Sequence, residues 1–422
     1  MIPITQGPIA RGTIRTSFVL GLRLLVQAGT LLLVARVLGP REYGAFAGVA
    51  ALAVMLGTLA TFGIHLVLMG EVAREPARRA QVLPYAVPVT LLCGAALCVI
   101  YLLISSFALG EAGVPLKVLV AIGITETLLQ PLFSLPAAEH LALGRIARSQ
   151  LLTVLPLALR LAAAAAVFLL RPANPLAAYG YGYCIASLLA LGVATVTMPA
   201  PWPRPHLWSW PSKAQLHAAA GYAALNITAT TPAELDKTLA TKLLPLAGSG
   251  LYAAGARVIG AATLPVIAMM LSALPRLFRA EREESGRTAR LLRWVFAAAL
   301  GYSVALAVAL WFLAPVFVWL FGAKFAGVQH VIHWLCLAVP GMALRMAAGS
   351  VLMALGKPWM RVGFELAGLV VLVISALLLT AYLGATGMPL ALACSEWAMA
   401  IIGIAFVTRT RISIRGFKAP MA

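Results

Sequence analysis

Residues 14–69, IRTSFVLGLRLLVQAGTLLLVARVLGPREYGAFAGVAALAVMLGTLATFGIHLVLM, decide the fold. Two apolar runs, 14–37 and 44–69, each reach the roughly 20 residues that a helix needs to cross a bilayer. Between them stands only the short turn Arg36-Val-Leu-Gly-Pro-Arg-Glu-Tyr-Gly44. A spanning segment has to satisfy every backbone N–H and C=O within itself, so the pair reads as two membrane helices joined tightly. Arg23 sits inside the first run, where charge is costly and by default marks a water-filled cavity and a function.

The same pattern continues outward. Further runs at 82–109, 117–138, 150–170, 176–199, 216–243, 250–275, 293–320, 328–355, 361–383 and 387–408 predict an all-α polytopic membrane protein with twelve transmembrane helices. Composition agrees: of 422 residues, 62% are hydrophobic and only 11% charged, and mean hydropathy is +0.95. A net charge of +19 invites a nucleic-acid reading. No basic run is interleaved with aromatics in a polar segment, so nucleic acid is excluded as a partner.

The 32 Lys and Arg residues instead sort by loop. Arg11 and Arg15 precede the first run, and every second loop is basic: Arg74, Arg78 and Arg79; Arg145 and Arg148; Arg204 and Lys213; Arg276, Arg279, Arg282, Arg287, Arg290 and Arg293; Lys357 and Arg361. The C-terminus adds Arg409, Arg411, Arg415 and Lys418, whereas the alternate loops hold only Arg36, Arg41, Lys117, Arg171, Lys242 and Lys324. Basic residues are retained on the cytoplasmic side, which predicts both termini cytoplasmic. A basic inner fringe facing anionic membrane lipids also accounts for the pI of 10.4. The first run lacks a small-x-small cleavage site and reads as an uncleaved helix.

Two echoes suggest duplication. Arg36-Val-Leu-Gly-Pro-Arg-Glu-Tyr-Gly-Ala-Phe-Ala returns as Lys242-Leu-Leu-Pro-Leu-Ala-Gly-Ser-Gly-Leu-Tyr-Ala, and Leu141-Ala-Leu-Gly-Arg145 as Met353-Ala-Leu-Gly-Lys357, at near-equal offsets. The predicted organisation is an N-terminal six-helix lobe (1–200), a connector (201–215) and a C-terminal six-helix lobe (216–422). Six helices is an even number, so the lobes share orientation about an axis along the membrane normal. The connector carries Pro201-Trp-Pro-Arg-Pro-His-Leu-Trp-Ser-Trp-Pro211, whose prolines and tryptophans suit a stiff interfacial segment.

Five cations fall inside the runs: Arg23, Arg160, Lys237, Arg257 and Arg345. At 1.5 Å per residue, Arg160 and Glu126 lie near mid-membrane, and Asp236, Lys237 and Arg257 lie about two turns from the outer side. Arg23 and Arg345 approach the centre from the inner side. One reading is a cationic cavity for a phosphate or pyrophosphate, which Arg binds bidentately. The other is a set of structural pairs, Arg257 with Asp236 and Arg160 with Glu126. Glu126 and Asp236 are likewise either proton carriers or partners of Arg.

Several features carry less. Cys93, Cys98, Cys184, Cys336 and Cys394 lie in apolar runs without metal or redox spacing and read as small buried hydrophobes. Gly356-Lys357 is followed by Pro358, which excludes a nucleotide-binding P-loop, so no cofactor is expected and any coupling is ionic, through H+ or Na+. His65 reads as a hydrogen-bonded packing residue, and Gly44-Ala-Phe-Ala-Gly48 as close packing. Pro84, Pro88, Pro131, Pro136, Pro265 and Pro275 are expected to bend helices. The sequon at Asn226 lies inside a helix and is inaccessible.

With these residues placed, the chain resembles the multidrug/oligosaccharidyl-lipid/polysaccharide (MOP) flippase superfamily, in particular its polysaccharide (Wzx-like) flippases. The resemblance rests on the twelve runs, the Ala35–Gly44 turn and the Asp236-Lys237 step. It also includes Tyr252-Ala-Ala-Gly-Ala-Arg-Val258 with Pro265 and Pro275, and Leu320-Phe-Gly-Ala-Lys-Phe325. It implies two lobes around a V-shaped cationic cavity in the bacterial inner membrane. It further implies alternating access that carries an undecaprenyl-pyrophosphate-linked oligosaccharide to the periplasmic leaflet, beside other polysaccharide assembly proteins. Arg36, Asp236 and Arg257 match family-like positions, whereas Arg23, Arg160 and Arg345 rest on depth. The second turn departs from the pattern, reading Leu244-Pro-Leu where Leu-Gly-Pro is expected. A drug antiporter of the same superfamily would favour a carboxylate-rich cavity. A membrane glycosyltransferase or O-antigen polymerase would need a large acidic outer loop, and the outer loops here carry little beyond Glu42 and Glu111. A transporter rather than an enzyme is expected.

Overall fold

Gly39 takes the place of a loop between the first two runs. Its φ of 67° and ψ of 171° turn the chain in one residue, and Pro40 opens the next helix with the fixed φ that a first helical turn favours. The computed structural model describes residues 8–110, 113–266, 269–270 and 285–417. Glu111, Pro275, Arg276, Arg279, Arg282 and Lys418 lie outside them.

The elements are α1 (Pro8–Ala60, two helices meeting at Gly39), α2 (Ile64–Arg74), α3 (Arg79–Ala108), α4 (Leu116–Ile124), α5 (Gln130–Ala142), α6 (Ile146–Leu170) and α7 (Pro175–Thr197). They continue with α8 (Lys213–Leu243), α9 (Leu246–Ala262), α10 (Ser285–Phe321), α11 (Val328–Leu335), α12 (Val339–Ala354), α13 (Pro358–Leu383) and α14 (Gly387–Phe417). No strand occurs among the described residues. Among the described residues, seven helical segments are long and apolar enough to cross a membrane, or eight when α11 and α12, bent by 46°, form one broken span. Two of the seven, Gly21–Ala60 and Pro358–Thr410, run 40 and 53 residues, more than one crossing needs, and positive-φ glycines interrupt them at Gly39 and Gly384. Phe107, Leu170, Val196, Phe312 and Tyr382 are all exposed, as helices solvated by lipid permit. The chain is a multi-pass helical membrane protein.

Several expected runs are not simple helices. The second breaks at Thr61–Gly63, where Phe62 and Gly63 both take positive φ, and α8 crowds the break. A Cβ at Gly63 would lie 2.6 Å from the Ala219 carbonyl oxygen, so only glycine fits. The tenth is the bent pair α11 and α12. The fourth contains a π turn, Thr125–Leu129, between α4 and α5. The cysteines are also less uniform than expected. Cys98 and Cys336 are buried, Cys93 and Cys184 half-buried, and Cys394 exposed, because an apolar run has an outward face too.

The chain divides into two compact units, Met1–Thr230 and Thr231–Ala422. The division therefore falls inside α8 rather than in the 201–215 segment, and the contacts of that segment show why. Arg79 donates to the carbonyls of Ala200 (2.6 Å) and Pro201 (3.2 Å), Ser209 N–H donates to Pro84 O, and Trp202 packs on the first unit's apolar cluster with Nε1 bonded to Thr195. The first half of α8 follows, with Ala219 buried in that cluster and Asn226 bonded to His65 Nε2 at 3.4 Å. His65 Nδ1 meets Thr61 Oγ1 at 2.8 Å, so this histidine is a hydrogen-bonded packing residue. The second unit has its own core, with Phe364, Leu352, Ala347 and Met399 at its centre.

One sequence echo is also a structural one. Gly144 and Gly356 both end helices at positive φ (71° and 66°). Arg145 N–H reaches back to His140 O, and Lys357 N–H to Leu352 O, each at 2.9 Å. The inner N–H bonds repeat as well, Gly144 to Leu141 O and Gly356 to Met353 O, so both segments close with the same glycine-dependent cap.

Candidate functional site

The first unit gathers its charge around the π turn. Widening the helix there puts Glu126 in the interior and turns its carbonyl toward Gly57 of α1 and that of Thr127 toward Gly94 of α3; a Cβ at either glycine would collide with them. Arg160 on α6 donates Nη2 to Glu126 Oε1 and to Ser187 Oγ, both at 3.0 Å. Tyr183 on α7 donates its hydroxyl to the same carboxylate oxygen and lays its ring 3.8 Å from the guanidinium carbon. Phe46 packs edge-on against Tyr179 and Tyr183 at 5.2 and 5.7 Å between centroids, and closes the cluster. Both charged groups are buried. The Arg160–Glu126 pair, one of the two readings from depth, is present.

The second unit strings four carboxylates and four cations together. Glu234, Asp236 and Lys237 lie on α8, and Tyr252 and Arg257 on α9. Arg345 comes from α12, Arg361 and Glu365 from α13, and Glu396 from α14. Asp236 accepts from Tyr252 OH at 2.8 Å and from Lys237 Nζ at 3.1 Å, and Lys237 also donates to the Ala233 carbonyl. Arg345 Nε donates to Glu396 at 2.7 Å and lies 3.9 Å from Glu365, which Arg361 holds at 3.0 Å. Asp236 and Glu396 are close enough to act on each other electrostatically.

Arg257, set against Asp236 in one of the two readings, takes Glu234 as a partner. It grips Glu234 with both arms, Nη1 to Oε1 at 3.2 Å and Nη2 to Oε2 at 3.1 Å. Residues two apart on a helix diverge by about 200°, and Tyr252 takes Asp236, while Lys237 lies near both carboxylates. The Arg257 side chain is 39% exposed, against 5% for Lys237 and 8% for Arg345. The network is most open at this edge, where a guanidinium stands.

Of the other anticipated residues, Arg23 and Arg36 are exposed on α1. The buried Glu365 and the aromatic partners Tyr183 and Tyr252 were not singled out as partners beforehand. The i,i+4 spacing of Arg361 and Glu365 was readable, but a phenol in an apolar run looks like packing. Among the described residues no group of His, Cys, Asp and Glu can hold a metal ion. Chemically, the open edge offers a two-pronged donor to an oxyanion, backed by a carboxylate that already occupies it.

Comparison with known proteins places this geometry. Residues 9–281 match the sequence profile of the family described as polysaccharide biosynthesis protein. No curated protein matches the chain by sequence. Among solved structures, an inward-facing multidrug resistance MATE family transporter of the MOP superfamily is similar at a TM-score of 0.74 and 14% identity, covering 94% of this chain and 96% of that one. The lipid II flippase MurJ, inward closed, is similar at 0.73 and 10%, covering 97% and 94%. A MOP superfamily transporter from Pyrococcus furiosus, described as having a binding pocket of reverse polarity, is similar at 0.65 and 13%, covering 95% of each chain. At these identities the likeness is one of fold.

Proposed function

The chain belongs to the polysaccharide biosynthesis protein family, and from that premise we propose that it flips a polyprenyl-diphosphate-linked oligosaccharide from the cytoplasmic to the periplasmic leaflet of a bacterial inner membrane. It does so by alternating access of two six-helix lobes built from twelve spans, with both termini cytoplasmic, coupled to H+ or Na+. The observation that carries this reading is Arg257, a bidentate donor at the exposed edge of a buried charge network. A diphosphate offers the paired oxygens that such a fork binds. Arg23 and Arg36, both exposed, are further contacts for the anionic head. Arg160, Lys237 and Arg345, buried and paired, hold the scaffold in place. Asp236 and Glu126 are the carboxylates through which a coupling ion acts.

A structural neighbour described as a lipid II flippase supports a lipid-linked substrate, and the family match supports a sugar-bearing one over a drug. Arg257→Ala, reconstituted in proteoliposomes, is expected to insert normally and to stop flipping of a polyprenyl-diphosphate-linked sugar. Flipping by that variant at the wild-type rate would overturn the assignment.

A further inference from the structure

The two prongs of Arg257 are already filled by Glu234, and the way they are filled matters. Both carboxylate oxygens are engaged, one per terminal nitrogen, at 3.2 and 3.1 Å. This is the arrangement that two oxygens of a phosphate adopt on a guanidinium. Among the described residues, Glu234 meets Arg257 from α9 and, on its own helix, Lys237 at 3.8 Å and the neighbouring Asp236. Asp236 has Tyr252 as well as Lys237, so the ammonium can be shared with a second carboxylate. Glu234 therefore has somewhere to go if it leaves Arg257, and the place is within its present reach.

From this arrangement we infer that Glu234 is a resident stand-in for the substrate's diphosphate. In the empty protein it neutralises Arg257; when a diphosphate arrives, it yields both nitrogens and turns to Lys237. The inference rests on the diphosphate reading above. Its consequence is kinetic. A partly buried guanidinium with no counter-ion is costly in a membrane protein, so a carrier that has released its substrate needs a replacement anion before it can reset. Glu234 supplies one. It also sets a threshold, because a ligand must outcompete a bidentate carboxylate, which a lone phosphodiester does less well than a diphosphate.

The test measures binding and flux in the same reconstituted, full-length protein. Inorganic pyrophosphate and farnesyl diphosphate are the diphosphate probes, and phosphatidylglycerol represents an ordinary lipid headgroup. Glu234→Gln is expected to bind both diphosphates about tenfold tighter, since about 1.4 kcal/mol of internal competition is removed. Glu234→Asp, too short to reach both nitrogens, is expected to fall between the two. In flux, Glu234→Gln is expected to keep substrate exchange, which never visits the empty state, and to lose most net flipping. Equal or weaker pyrophosphate binding by both variants would overturn the stand-in, as would intact net flipping. Tightening seen for phosphatidylglycerol but not for pyrophosphate would also overturn it. Loss of all binding in Arg257→Ala alongside wild-type flipping would instead remove the diphosphate assignment itself, so the two failures are distinguishable.

Discussion

Arg160 and Arg257 are both guanidiniums gripping a glutamate inside an apolar helical unit, yet their surroundings differ in kind. Arg160 is roofed by Tyr183, on which Phe46 and Tyr179 pack, shares Glu126 with that phenol and donates to the Ser187 hydroxyl. Arg257 grips Glu234 and is 39% exposed. In a sealed pair of charges, removing either partner strands the other. A pair at an open edge can exchange partners, and exchange is what a carrier of anions requires.

This contrast can be broken. Arg160→Ala or Glu126→Ala is expected to cost about 3–5 kcal/mol, because it leaves an uncompensated buried charge. Thermal unfolding of the detergent-solubilised protein would read this as a large drop. The double change Arg160→Met with Glu126→Leu should recover much of it, and wild-type melting of the single variants would dissolve the distinction. Next in size, Gly57→Ala presses a methyl into the Glu126 carbonyl and is expected to cost about 1–3 kcal/mol by overpacking in the same melt. Arg257→Ala should cost under about 1 kcal/mol of stability, as partly exposed pairs do, while flipping falls at least about tenfold. A melt as damaged as that of Arg160→Ala would place Arg257 with the sealed pairs. The smallest effect is expected at Glu75→Ala, which removes an exposed partner of Arg78 at 3.1 Å. A change of a few tenths of a kcal/mol would sharpen the contrast, by showing that enclosure rather than pairing sets the cost.

The sequence speaks clearly where one chemical preference dominates. Apolar runs mark helices, and matching depth offers Arg160 and Glu126 as a pair, one of two readings. The repeated Ala-Leu-Gly followed by a basic residue marks an echo between the halves, which the structure shows to be a shared cap. The sequence is silent where several groups compete for one partner. Glu234 and Asp236 stand two residues apart, and only the rotation of α8 against α9 decides which one faces Arg257. The break at Thr61–Gly63 is similarly hidden. Thr-Phe-Gly is ordinary in an apolar run, and the positive φ of Phe62 makes sense only beside α8 packed against Gly63. The 201–215 segment reads as a link between halves by composition, whereas hydrogen bonds from Arg79 and to Pro84 attach it to the first unit.

The π turn at Thr125–Leu129 also makes a prediction in the language of insertions and deletions. Such a turn holds one residue more than a regular helix, so everything downstream is rotated by about 100° relative to the unbulged path. Glu139 reaches Arg79 at 2.5 Å from the far side of that rotation. Deleting a single codon within 125–129 would leave a helix-forming sequence of nearly unchanged hydropathy, yet turn Glu139 and His140 off their present face. Between homologues, gaps at this point should therefore be rarer than substitutions, because the reading phase of the whole second half of the span depends on one extra residue.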